Sequence, residues 1–293
     1  MSSNLSPTLQ PRIKLEFIVS SPTDLQTEVP SQETATNDLA FKLTEMAPEE
    51  KTLTLTSLTH PRILTPQDSQ ACYSAGNEIK LKGSFLDLIE NFKCLPTAVT
   101  KTYFLQLLDT IEYLHQTAGI SHGDISLQNV LVDETYNLKL TGIASAKGGS
   151  TDDNESSQDE FCCPESWKGE PYSMFQADIF ALGVILFEMV AGYKPFEAAR
   201  DEDPIYELFK LNKQEEFWLF HEDLKTQMTG LVPEKGHFPA NFRELVNLLL
   251  AYETKDRLKD ITDIKKHAWC QGMVLNDQDL EALMKEIAKK MCL

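Results

Sequence analysis

Residues 121–133 read SHGDISLQNVLVD, and the fold of this chain turns on them. His122, Gly123 and Asp124 stand together, and Asn129 follows the aspartate by five positions. An aspartate can take a proton from a hydroxyl, and an amide on the same tight loop can help to hold a divalent cation. Val130, Leu131 and Val132 then make a short apolar run. With 137–140 (NLKL) across a three-residue break, this run predicts a small hairpin. Alone, an H-x-D-x-x-x-x-N match arises often by chance, so the neighbouring segments must decide what it means.

Upstream, 84–93 (SFLDLIENFK) and 99–117 (VTKTYFLQLLDTIEYLHQT) have helical spacing, the second through Phe104, Leu107, Leu108, Ile111 and Leu114. Downstream, 148–160 (GGSTDDNESSQDE) is a polar acidic loop. Helices are expected over 176–191, 204–212, 242–252, 261–267 and 277–290. The apolar run 179–192 (IFALGVILFEMVAG) is too short to span a bilayer, carries Glu188, and reads as a buried core helix. The first third is different: Ser, Thr and Pro crowd it, and the first glycine is Gly76. Strands are expected at 13–19 (IKLEFIV) and 39–43 (LAFKL), with a polar loop between them. The Thr/Leu alternation of 51–58 permits either a strand or a short helix.

Of the 293 residues, 42% are apolar and 9% aromatic, enough for a real core. Lys plus Arg number 27 against 45 Asp plus Glu, a net charge of −18. Such a field repels phosphate backbones and anionic lipid, so neither nucleic-acid binding nor membrane insertion is expected. Six cysteines show no CxxC spacing, and no signal peptide is visible, so reduced thiols in a cytoplasmic protein are expected. Cys162 and Cys163 would serve as a zinc half-site or, more simply, as packing.

In order along the chain, these segments resemble the protein kinase family. SHGDISLQN is similar to its catalytic loop, HRDxxxxN, and 138–147 (LKLTGIASAK) to its metal-binding segment. Cys163-Pro164-Glu165 stands for Ala-Pro-Glu, and 178–196 is very similar to the central C-lobe helix. Lys255-Asp256-Arg257-Leu258 and Lys266-His267-Ala268-Trp269 resemble the closing helices. The resemblance implies an α+β, bilobal protein-kinase-like fold with a reduced β-rich N-lobe and a mostly helical C-lobe. Its expected divisions are a tail over 1–12, a degenerate N-lobe over 13–82, the C-lobe over 83–272 and a terminal helix over 273–293. It also implies a buried Glu165–Arg257 ion pair, and Asp178 capping the catalytic loop. Those residues specify a fold, not a reaction.

Toward the N-terminus, Leu58-Thr59-His60-Pro61-Arg62-Ile63 resembles the L-x-H-P-x-I stretch that follows the regulatory helix. Lys42 in LAFK then matches the phosphate-binding lysine, or else snorkels from an exposed strand. Glu50 is its candidate partner, although the Lys42-to-His60 spacing is short and register places Lys51 at the glutamate position. Ala40 and Leu131 match the pair that sandwiches adenine. The phosphate cover would fall at 19–27 (VSSPTDLQT), which has no glycine to let backbone N–H groups close over phosphates.

The largest departure is at the metal. Where the family has Asp-Phe-Gly, this chain has Gly142-Ile143-Ala144, and glycine has no side-chain ligand atom. Gly123 replaces the arginine that reads a phosphorylated loop, and Ser126 replaces a lysine. Kinases turn over at roughly 1–100 per second, and each lost electrostatic contact costs about 10²–10³ in rate. Losing two leaves about 10⁻² to 10⁻⁶ per second if the effects multiply. The expectation is therefore a pseudokinase with vestigial Asp124 and Asn129, no metal, and ATP bound weakly or without metal. Its partners would be proteins, within a cytoskeletal or other large intracellular assembly. The competing reading is an unorthodox active Ser/Thr kinase.

Overall fold

Ser84 ends one element and starts the next. In the computed structural model, which describes residues 55, 58–65, 81–92, 95–143, 146, 163–168 and 171–290, strand β1 (Leu81–Ser84) runs directly into helix α1 (Phe85–Phe92). The Ser84 hydroxyl accepts from Asp87 N–H at 3.2 Å, and the Asp87 carboxylate accepts from Ser84 N–H at 2.8 Å. This reciprocal capping box satisfies donors that the first turn of a helix leaves open. The strands expected at 13–19 and 39–43, together with Ala40, Lys42, Glu50, Lys51, the glycine-free 19–27 and the loop 148–160, lie outside the described residues. So does nearly all of the Thr/Leu alternation at 51–58, of which Leu55 and Leu58 are described and buried.

Helix α2 (Thr97–Glu112) follows Pro96 and ends in a wider π-type turn, Tyr113–Ala118, closed by Gly119. The hairpin predicted from the sequence is present as β2 (Val130–Asp133) and β3 (Leu138–Leu140), antiparallel, with β1 on the other edge of β2. Asp133 shapes its turn by accepting from Thr135 N–H and Asn137 N–H at 3.0 and 2.9 Å. Gln106 of α2 ties the hairpin down, accepting from Leu138 N–H at 3.0 Å and donating to Asn137 at 3.1 Å. Val130 and Val132 are buried while Leu131 is half-exposed, so Leu131 lies on the opposite face of the sheet. The 62–64 segment pairs with β3 in parallel, through Leu64 N–H to Leu140 O (2.8 Å) and Leu140 N–H to Arg62 O (2.7 Å).

The remaining elements are helical. They are α3 (Met174–Ala191), α4 (Glu207–Lys210), α5 (Gln214–Thr229), α6 (Ala240–Leu249), α7 (Ile261–Lys266) and α8 (Asp277–Lys290). α3 is apolar on all sides because it runs through the core: 78% of it is buried. By length and composition it would also cross a membrane, but here protein surrounds it. Around it pack Tyr103, Phe104, Phe209, Phe217, Trp218, Phe238 and Phe242. The helix expected over 204–212 shortens to one turn, α4, where Asp203 instead caps the backbone by accepting from Ile205 and Tyr206 N–H, each at 2.9 Å. The sequence reading did not place α5. Its buried residues Phe217, Trp218, His221 and Lys225 form one stripe, but acids and amides elsewhere weaken the apolar period. The mixed architecture, a small sheet beside a mostly helical body, agrees with the expected fold class.

Candidate functional site

The catalytic-loop match is anchored from below by α3. Asp178 is buried, and its carboxylate accepts from His122 N–H at 2.7 Å, Gly123 N–H at 2.9 Å and His115 Nε2 at 2.8 Å. Hydrogen bonds to an ionised acceptor contribute about 1.5–3 kcal/mol each, so this one side chain fixes the loop's course. Asp178 thus takes the capping role that the resemblance implied. His115 was not foreseen: it lies in the π-type turn after α2, and nothing in its local sequence signals the contact. Gly123 has φ +79°, a left-handed conformation that glycine adopts without strain.

His122 supports the loop from within. Its Nδ1 accepts from Asp124 N–H at 3.2 Å, so the ring proton sits on Nε2 and is donated to Thr141 O at 2.9 Å. Complete burial lowers its pKa and keeps the ring neutral, against the opposing pull of Asp178. Asp124 itself is exposed. Its carboxylate is held by Asn129 rather than by the central helix, and α3 holds only the backbone of His122 and Gly123.

Asn129 closes the site. Its Nδ2 donates to both Asp124 O and Asp124 Oδ2, each at 2.8 Å, and its backbone carbonyl accepts from Thr141 N–H at 2.9 Å. The amide therefore folds back onto its own loop. Gly142 lies against it with φ +86°, and a Cβ placed there would come within 2.8 Å of Asn129 Cγ and Nδ2. Ile143 is buried in the core, and Ala144 lies outside the described residues. A magnesium ion held between the two segments needs a carboxylate at position 142 and a free amide oxygen at 129. The first is missing, and the Asn129 amide lies where a Cβ at position 142 would stand. Among the described residues, no three His, Cys, Asp or Glu side chains gather as metal ligands. The residues present do not fit the metal that the resemblance implies. Leu131 lies in β2 as described, while its proposed adenine partner Ala40 and the phosphate-side Lys42 lie outside the described residues.

The frame beneath the activation segment is intact. Arg257 is fully buried and meets Glu165 through NH2 to Oε1 at 2.7 Å and NH1 to Oε2 at 3.4 Å. It also donates to Gln176 O and Ala251 O, while Thr254 donates to Glu165 at 2.6 Å. Burial pushes the Glu165 carboxyl up, but Arg257 and the Thr254 hydroxyl outweigh it and hold its pKa below the ordinary 4.5. Cys163 is buried beside this pair in the core, with its thiol pushed well up by burial, and Cys162 lies outside the described residues. His221 is likewise buried, lowered to about 4, and donates to Pro195 O at 3.0 Å.

Comparison with known proteins accords with this geometry. Residues 33–270 match the model of the protein kinase domain. The chain is similar to serine/threonine-protein kinase PKH2 of Saccharomyces cerevisiae, 29% identical over 227 residues, covering 73% of this chain and 19% of that protein. It is 30% identical over 211 residues to PKH1 of the same yeast, covering 67% and 25%. To human testis-specific serine/threonine-protein kinase 1 it is 27% identical over 202 residues, covering 66% and 50%. The matched region therefore spans between about a fifth and a half of the length of these relatives.

Proposed function

The chain belongs to the protein kinase domain family, and on that premise we propose that it is a pseudokinase, working through its surface as scaffold, allosteric partner or structural subunit of an intracellular assembly. One observation carries the reading: Asn129 is seated on Asp124 in the space beside Gly142, where the metal carboxylate would stand. The fold-bearing contacts of Asp178 and of Glu165 with Arg257 are kept, while position 142 offers no carboxylate to a metal-bound phosphoryl group. Cytoplasmic residence and protein partners belong to the same proposal. Calorimetry of ATP binding to the full chain, once with Mg²⁺ and once with EDTA, tests it. Absent or metal-indifferent binding is the expected result, and tight Mg²⁺-dependent binding would overturn it.

A second reading has its own support. Asp124 remains exposed on an ordered loop, and the similar proteins are named serine/threonine kinases. An unorthodox Ser/Thr kinase would autophosphorylate or phosphorylate a protein hydroxyl, and Asp124→Asn would abolish that. Phosphotransfer absent in both forms supports the pseudokinase.

A further inference from the structure

Helix α5 is clamped on one side, and its exposed side mixes Leu219, Phe220 and Met228 with Glu215, Glu216 and Asp223. Its inner side is fixed by buried Phe217, Trp218, His221 and Lys225. Trp218 Nε1 donates to Asn247 at 2.9 Å, Lys225 Nζ donates to Ala191 O, and Tyr193 OH donates to His221 O at 3.2 Å. Glu222 pins the following loop, accepting from Arg243 at 2.6 Å and from His237 N–H at 2.7 Å. A helix held this firmly presents its outer face in one fixed geometry.

That outer face is not what a solvated helix carries. Phe220, Leu224 and Met228 fall at i, i+4 and i+8, one row along the helix in which Phe220 and Met228 are exposed and Leu224 between them is half-buried. Leu219 beside them is 65% exposed, Met228 is 57%, and beyond the Gly230 cap Val232 is 82% exposed, with Leu231 next to it. Of the eight large apolar side chains left exposed among the described residues, five (Leu219, Phe220, Met228, Leu231 and Val232) fall within this one segment. By the ordinary sizes of these side chains they offer on the order of 600 Å², at the top of the roughly 300–600 Å² that the largest patch of a monomer shows. Phe220, close in sequence to the packed Phe217 and Trp218, is turned outward.

Charge says what covers this surface. Glu215 and Glu216 stand one turn before Leu219, and Asp223 stands one turn after it, all exposed. Lys213 is engaged with Glu216 at 3.1 Å, and Lys225 is buried, so no free cation on α5 offsets Glu215 and Asp223. We propose that this face docks a basic amphipathic helix of a protein partner, its apolar row laid along Phe220, Leu224 and Met228 and its Lys or Arg flanks meeting Glu215, Glu216 and Asp223. The proposal rests on the surface-acting reading above and names its partner class. Complementary charge sets register and encounter, while the apolar row supplies affinity.

The test uses the full chain and a fluorescein-labelled 14-residue helix of Leu and Lys with apolar residues at i, i+4, i+7 and i+11. A Leu/Glu helix of the same pattern is the control, and anisotropy is read at physiological salt. Saturable one-to-one binding of the Leu/Lys helix is expected, and none of the control. The double change Leu219→Ser with Phe220→Ser, and separately Glu215→Lys with Asp223→Lys, should each weaken it about tenfold. Glu281→Lys with Glu286→Lys on α8, an equal change of charge elsewhere, should leave it within twofold. Thermal melts of every variant verify folding, which these exposed positions do not threaten. Equal loss from the α8 variant, or no loss from the α5 variants, would assign binding to diffuse charge and overturn the proposal. So would sedimentation showing self-association that Phe220→Ser abolishes, because the occupant would then be a second copy. The Mg-ATP calorimetry reads the pseudokinase reading separately, so failure of either leaves the other standing.

Discussion

Restoring a side chain at Gly142 should destabilise the protein without restoring a metal. The residue has φ +86°, and a Cβ there lies 2.8 Å from Asn129 Cγ and Nδ2. A left-handed backbone costs an L-residue about 1–2 kcal/mol. Relieving the clash moves Asn129 off its two bonds to Asp124, which contribute about 0.5–1.5 kcal/mol each. Together Gly142→Ala should cost about 2–5 kcal/mol, a large share of the ~5–15 kcal/mol that holds a domain folded. Urea unfolding followed by circular dichroism measures it. Gly142→Asp should lose a similar amount and gain no Mg²⁺-dependent ATP binding, because the Cβ rather than the carboxylate is the obstacle. The pair Gly142→Ala with Asn129→Gly should cost less than the two single changes summed, because the Asn129 bonds are then lost only once. The reasoning fails if Gly142→Ala alone unfolds within ~0.5 kcal/mol of the parent, a difference that ordinary surface changes also give. It fails equally if Gly142→Asp binds Mg-ATP tightly.

Other perturbations have equally direct readings. Glu165→Gln leaves Arg257 buried without its counter-charge and should cost about 3–5 kcal/mol in chemical denaturation. Because the Glu165 pKa is lowered on folding, its contribution is fully present above the ordinary 4.5 and is lost as pH falls through the folded value; the parent's acid melting should therefore be steeper than that of Glu165→Gln. His122 is also lowered, by burial, so it adds a second loss of stability as pH falls below 6.5, which His122→Asn should flatten in the same titration. Trp218→Ala should cost about 3–5 kcal/mol through the cavity under α5, whereas Leu219→Ser, one residue on but exposed, should change the melt by no more than ~0.5 kcal/mol.

Much of this molecule is written locally. The apolar run around Ile179–Val190 reads as a helix shielded from water, because no face of it is polar enough for solvent. The hairpin at 130–140 follows from period-two burial around a turn opened by Asp133. Gly142 in place of a ligand was legible too, since the absence of a side chain needs no fold to be recognised. Only the tertiary structure decided what that glycine accomplishes. Asn129 occupies its space because two loops thirteen residues apart are brought together by the β2–β3 hairpin, with Asn129 O accepting from Thr141 N–H. His115 reaches Asp178 across 63 positions, and α5 separates buried Trp218 from exposed Leu219 by a rotation about its axis. Spacing reveals which residues share a helix or strand. Which carboxylate a distant histidine meets, and which face of a helix is left bare, depends on how the elements pack against one another.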